Sequence, residues 1–152
     1  MQPAVKDSAS SGHRLLFAVI AAVSVAGMIV SAISLERHYA KSATQFCDFS
    51  QRFSCDIVNR SEYSSMVGIP VAGIGVVGYG VLLALATFLR ARAKTPNRML
   101  GAAIAGLAFA LYLTYVEAYV LETWCILCLL SLAFISMISL LALVVKLKGV
   151  RA

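Results

Sequence analysis

ILCLLSLAFISMISLLALVV, residues 126–145, runs for twenty positions without a charged side chain. A helix rises about 1.5 Å per residue, so this stretch would span about 30 Å, the thickness of a bilayer's hydrocarbon core. Three more stretches have the same character: Leu15–Leu35, Ile69–Leu89 and Met99–Leu121, and Glu117 is the single formal charge inside any of the four. Backbone groups in lipid must find partners within their own segment, so each stretch is expected to be a helix. The alternating segments of about ten residues that build a transmembrane barrel are absent from the sequence. The expected fold is all-α: an integral membrane four-helix bundle, one domain over residues 1–152, with a long connection 36–68 between helices one and two.

Composition agrees. Hydrophobic residues make up 61% of the chain and charged residues 13%, with a mean hydropathy of +0.87. Ordinary soluble domains carry about 25% charge. The net charge of +6 would suit nucleic acid if it were clustered, but the basic residues are scattered between apolar spans. Their distribution predicts orientation instead. Lys6, Arg14, Arg90, Arg92, Lys94, Arg98, Lys146, Lys148 and Arg151 fall on one side, against Asp7 alone. The other side carries Arg37, Lys41, Arg52 and Arg60 with six acids, counting Glu117 near its helix end. The positive-inside rule then places both termini and the 90–98 loop in the cytoplasm, and 36–68 with Glu122–Trp124 outside. A multi-pass protein of a bacterial inner membrane is expected. The first span exceeds the roughly 7–15 apolar residues of a signal-peptide core, so it is expected to remain as a helix.

Small residues recur at helical spacing: Ala22 and Ala26, Gly27 and Ser31, Ala102 and Gly106, with Gly73, Gly75, Gly78 and Gly80 in the second span. Such faces let helix backbones approach closely in lipid, where no hydrophobic force drives association. The long connection carries Phe46, Phe49, Phe53, Ile57, Val58 and Tyr63, so it is expected to fold against the bundle. A short amphipathic helix is expected over Asp56–Met66. Gly68-Ile69-Pro70 then starts the second span, with Pro in the first helical turn.

The chemistry is carried by four cysteines. Cys47 and Cys55 lie in the long connection, and Cys125 and Cys128 form Trp124-Cys125-Ile126-Leu127-Cys128 at the start of span four. In a four-span chain both segments emerge on one side, in an oxidising compartment. Cysteines three apart at a helix start share a face within bridging distance. The helix N-terminus is expected to stabilise a Cys125 thiolate, with Cys128 one turn deeper in apolar surroundings. The uses of C-x-x-C are redox exchange and metal binding. The seven residues between Cys47 and Cys55 suit a structural loop disulfide as well as an exchanging pair, and their spacing is wrong for a zinc knuckle. No metal is expected.

With these residues the chain resembles the vitamin K epoxide reductase family in its bacterial disulfide-forming branch, over essentially its whole length. The elements that carry the resemblance are Cys47-x₇-Cys55, Ser61 six residues after Cys55, Gly68-Ile69-Pro70, and Cys125-Ile126-Leu127-Cys128, with the loop pair preceding the C-x-x-C. The resemblance implies a relay. A thioredoxin-like partner, here a separate periplasmic protein, hands electrons to Cys47, Cys55 passes them to Cys125, and Cys125–Cys128 reduces a quinone, ubiquinone or menaquinone, held in the bundle beside Cys128. It also implies that Ser61 lies at the quinone site. Leu132 stands where the vertebrate enzymes have a vitamin K-contacting tyrosine.

Among the remaining residues, Glu117 reads equally as a functional intramembrane acid and as a side chain reaching for the interface. Tyr112, Tyr115 and Tyr119 share one helical face. Tyr119 and Trp124 suit an interfacial belt, and Tyr112, Tyr115 and Tyr79 are candidate contacts to a ring ligand. His13 and His38 flank span one at the interfaces. The expected activity is that of a quinone-dependent thiol–disulfide oxidoreductase driving disulfide formation. The alternatives are a quinone or vitamin K epoxide reductase using thiols as its electron source, and a non-enzymatic scaffold with a stapled loop. No nucleic-acid partner is expected.

Overall fold

The computed structural model describes residues 4–39, 48–50 and 52–151. Helices dominate: α1 (Ala4–Tyr39), the short α2 (Cys55–Asn59), α3 (Val71–Thr87), α4 (Thr95–Tyr119) and α5 (Ile126–Arg151). Within α1, Ser11–Tyr39, together with α4 and the Ile126–Gly149 stretch of α5, is long and apolar enough to cross a membrane. Helix α3 is a shorter apolar helix of 17 residues, about 26 Å at 1.5 Å per residue. Helix α1 packs on α3 and α5, α4 packs on α5, and α3 meets α4. Exposed apolar side chains line all four, among them Ile29, Val77, Leu111 and Leu140. A helix that is apolar on its outer face as well as its inner one is built for lipid.

One core cluster gathers Phe17, Ile20, Tyr79, Leu82, Met99, Ile135, Ile138 and Val145. The small residues do the packing expected of them. A Cβ at Gly27 would overlap the Tyr79 ring, one at Gly75 would meet Ser31 Oγ at 2.7 Å, and one at Gly106 would press on Ile135. Buried serines return their hydroxyl protons to the helix backbone, Ser24 to Ile20 O at 2.7 Å and Ser139 to Ile135 O at 2.8 Å. They add polarity to the interior without leaving a donor unmatched.

The connection between α1 and α3 departs from the sequence expectation. Asp56–Met66 is not one amphipathic helix. Helix α2 lasts five residues, a 3₁₀ turn follows at Glu62–Ser64, and β3 (Ser65–Met66) pairs antiparallel with β4 (Ile69–Pro70). Ser61 breaks the helix: its backbone is extended, and its hydroxyl donates to Val58 O at 2.8 Å. The hairpin turn needs positive φ at both central residues, met by Val67 (φ 56°) and Gly68 (φ 81°). Gly68 does this without strain, whereas a β-branched Val67 does not. Pro70 therefore sits one position before α3, as its cap, rather than inside the first turn. A second small pairing joins β1 (Asp48–Ser50) to β2 (Phe53–Ser54).

Candidate active site

Two backbone contacts bring the distant cysteines together. Helix α4 ends at Tyr119, and Glu122 takes a left-handed conformation (φ 49°) that turns the chain back. Thr123 N–H donates to Glu117 O at 3.1 Å, closing the turn. Trp124 N–H then donates to Arg52 O at 2.8 Å, and Phe53 bridges to Trp124 in parallel register. The loop is thus fastened beside the turn that leads into α5. Immediately after it, Ser54 caps α2, its hydroxyl accepting from Ile57 N–H at 3.3 Å, and fixes Cys55 as the first residue of that helix.

Cys55 and Cys125 are each 0% exposed, and pack with Val58 and Leu127 in a second buried cluster that Cys128, Val30 and Leu121 border. The thiols of Cys55 and Cys128 both lie in hydrogen-bonding contact with Cys125. Asn59, one turn after Cys55 and buried, points its Nδ2 at Cys125 Sγ, 4.0 Å away. The structure therefore brings three of the four predicted cysteines into one cluster. Cys47 lies outside the described residues.

Cys125 caps α5. Its carbonyl accepts from Leu129 N–H at 3.0 Å, and its own N–H donates to Glu117 Oε2 at 3.1 Å. This corrects the expectation of a stabilised Cys125 thiolate. The group answering the helix N-terminus is the Glu117 carboxyl. The Cys125 thiol is pushed well above its ordinary value, chiefly by its hydrogen bond with Cys128 and further by burial, against a lowering contact from Cys55. Cys125 in this arrangement is a protonated thiol at neutral pH.

Glu117 does not reach for the interface. It is 2% exposed, its carboxyl faces the Cys128 thiol, and Oε1 has no hydrogen-bond partner among the described residues. A cavity of about 420 Å³ opens beside it between the helices. Its walls are mostly apolar, from Val30, Ala72, Ala105, Phe109, Leu113 and Ile135, with Gly75 and Gly78 leaving room on the α3 side. Polar residues also line it, among them Ser61, His38, Tyr79, Ser131, Glu117 and Cys128. Tyr79 donates its hydroxyl to Ser131 O at 2.8 Å and shares a contact of 2.9 Å with Ser131 Oγ. His38 Nδ1 is held by Asn59 O and lies 3.3 Å from Ser64 Oγ.

Ser61 and Tyr79, expected at a ligand site, both line this cavity. Tyr112 and Tyr115 do not. They are 50% and 58% exposed on the outer face of α4, where Tyr115 stacks near Tyr119 instead. The helical face that groups the three tyrosines is the one turned away from the bundle. Asn59 carries no sequence signal that singles it out, and His38, expected at the interface beside span one, lines the cavity. Ser131 has one signal, since it follows Cys128 by three and shares its helix face. Asn59 and His38 meet through a loop fold that spacing does not reveal.

The chain was compared with protein-family models, and the one for the vitamin K epoxide reductase family matches residues 18–145. That stretch runs from α1 into α5 and includes all four cysteines.

Proposed function

Since the chain belongs to the vitamin K epoxide reductase family, membrane oxidoreductases that work through thiols, we propose that it relays electrons from a separate thioredoxin-like protein to a membrane quinone and so drives disulfide formation outside the cytoplasm. The observation that carries this reading is the order of the sulfurs. Cys55 comes from the loop, Cys125 is packed between, and Cys128 is, of the described cysteines, the one that lines the apolar cavity.

In the proposed sequence a thiolate of the partner attacks the Cys47–Cys55 disulfide at Cys47, releasing Cys55. Cys55 attacks Cys125 of the Cys125–Cys128 disulfide and releases Cys128 as a thiol. The partner's second thiol resolves its mixed disulfide and leaves oxidised. Cys47 then attacks the Cys55–Cys125 bridge, restoring the loop disulfide and leaving Cys125 and Cys128 as a dithiol. Each exchange is a thiolate displacement that needs proximity and graded potentials. A quinone in the cavity supplies the final oxidant, accepting two electrons and two protons as the Cys125–Cys128 disulfide reforms. The cavity suits such a substrate. Its volume falls in the ~300–1,000 Å³ range of small-molecule sites, its walls are apolar, and Ser61, His38, Tyr79 and Ser131 offer polar partners for ring oxygens.

In the proposed topology α1, α3, α4 and α5 all span, with both termini cytoplasmic. Phe88 and Leu89, which continue the hydrogen bonding of α3 by donating to Ala84 O, lengthen its apolar reach. The deciding experiment is reduction of a short-chain quinone by the reconstituted protein with a dithiol donor, followed by quinone absorbance. Cys128→Ser should abolish turnover and accumulate a Cys55–Cys125 crosslink visible by mass spectrometry. Sustained turnover in that variant would refute the order of the relay.

A further inference from the structure

Glu117 is a buried carboxyl in the last turns of α4, and its two oxygens have different surroundings. Oε2 accepts from Cys125 N–H at 3.1 Å, which accounts for it as the partner of the residue that caps α5. Oε1 is buried without a hydrogen-bond partner among the described residues, while the carboxyl faces the Cys128 thiol and lines the cavity. No salt bridge reaches it among the described residues, where the one ion pair is Arg60–Asp56. A carboxylate enclosed in an apolar bundle without a cation is unfavourable. A capping role alone would be filled as well by a neutral amide, which supplies the same acceptor oxygen.

Two other groups at this cavity are tied into hydrogen bonds within the protein. His38 Nδ1 is held by Asn59 O, and the Tyr79 hydroxyl donates to Ser131 O. Cys125 lies behind Cys128, fully buried. The carboxyl that faces the cavity-lining sulfur is that of Glu117.

We propose that Glu117 is a catalytic residue of the thiol-oxidising step, its carboxylate taking the Cys128 thiol proton and handing it to the near oxygen of the quinone. The inference rests on the relay reading and adds its proton path. The balance is as follows. The Cys128 S–H bond breaks to Glu117, and the Cys125–Cys128 S–S bond forms as two electrons leave the sulfurs for the ring. The carboxyl proton passes to the near ring oxygen, which restores the carboxylate. The Cys125 proton leaves to the aqueous face, and the far ring oxygen takes one from the same face.

The test uses full-length protein in nanodiscs with dithiothreitol and a short-chain ubiquinone, comparing wild type with Glu117→Gln and Glu117→Asp. Glu117→Gln keeps an oxygen for Cys125 N–H but cannot accept the proton. Its quinone reduction should fall about 100-fold or more, the usual weight of a general base, with partial recovery in Glu117→Asp. A second readout is independent of turnover. Time-resolved infrared difference spectra of wild type, taken while the reduced protein is being oxidised, should contain a transient protonated-carboxyl C=O band that shifts in D₂O and is missing from Glu117→Gln. Wild-type protein carries this measurement even if the glutamine variant does not fold. A Glu117→Gln rate within about threefold of wild type, far below the effect of a general base, overturns the proposal, as does a wild-type spectrum without the carboxyl band. If wild type itself reduces no quinone from dithiothreitol, it is the relay reading that fails.

Discussion

Gly27→Ala tests how the bundle shapes its cavity. A methyl at Gly27 would fall inside the Tyr79 ring, overlapping its Cδ1, Cε1 and Cζ atoms. The ring cannot yield easily. Tyr79 is buried, and its hydroxyl is tied to both the backbone and the side chain of Ser131 on α5. Either α1 and α3 part, at about 1–3 kcal/mol for an overpacked core, or the ring swings out and forfeits a hydroxyl contact worth about 1 kcal/mol. A loss of roughly 2–4 kcal/mol is expected by combining these. The assay is unfolding in mixed micelles, run as a double-mutant cycle with Tyr79→Leu. In the leucine background the added methyl should cost less than about 1 kcal/mol, a coupling typical of touching residues. Because Tyr79 also lines the cavity, Gly27→Ala should weaken quinone turnover as well. If Gly27→Ala lies within about 0.5 kcal/mol of wild type, the scatter of an uncoupled change, the α1–α3 packing described here is wrong.

Cys47→Ala should block oxidation of a thioredoxin-like protein while dithiothreitol still drives quinone reduction, and wild-type oxidation of the protein partner would make the loop pair structural. Reporter fusions after Arg92 and after Ala152 should be active only with a cytoplasmic reporter, as the excess of Lys and Arg on that side requires; a periplasmic signal at either site contradicts the four-span topology. The Cys125 thiol is held above its ordinary value first of all by Cys128, so Cys128→Ala should lower it. In the reduced variant the thiolate then populates at lower pH, and the pH profile of Cys125 alkylation, read by mass spectrometry, should move toward acid; an unmoved profile refutes the assignment of that contact.

The extent of α4 is legible in the sequence because lipid imposes one simple demand, an apolar run of sufficient length. The apolar stretch Met99–Leu121 and helix α4 (Thr95–Tyr119) differ by only a few residues at each end. Placement of Cys125 at the entry to α5 was equally readable, since Trp124-Cys125 marks where the charged turn gives way to an apolar run. The loop resisted for a local reason. Asp56–Met66 has a helical pattern of apolar residues, but the Ser61 hydroxyl competes for Val58 O, and Val67-Gly68 demands a tight reversal. The electrostatics of Cys125 are not legible from the start of α5 alone, because the side chain that answers it comes from another helix. Glu117 is eight residues away across a left-handed turn, and no periodic spacing announces that contact. Likewise, three tyrosines on one helix face identify a face, and only the packing of α4 against α5 and α3 determines that it looks outward.

The burial of the cluster also gives the proposed relay a direction. Cys55 and Cys125 are both closed to solvent, so a bulky protein dithiol cannot reach either one without first opening the loop. Electrons from such a partner have to enter through a cysteine outside the cluster, and Cys47 is the remaining one in the chain. At the other end, Cys128 borders the cavity while Cys55 and Cys125 do not. A lipid-soluble oxidant therefore meets one sulfur, and a protein reductant must approach through another. In the proposed relay, separating the two reactants by burial would keep the quinone from oxidising the loop thiols directly and bypassing Cys125. The clasp from Trp124 N–H to Arg52 O fastens the loop beside the entry to α5, where Cys55 packs against Cys125.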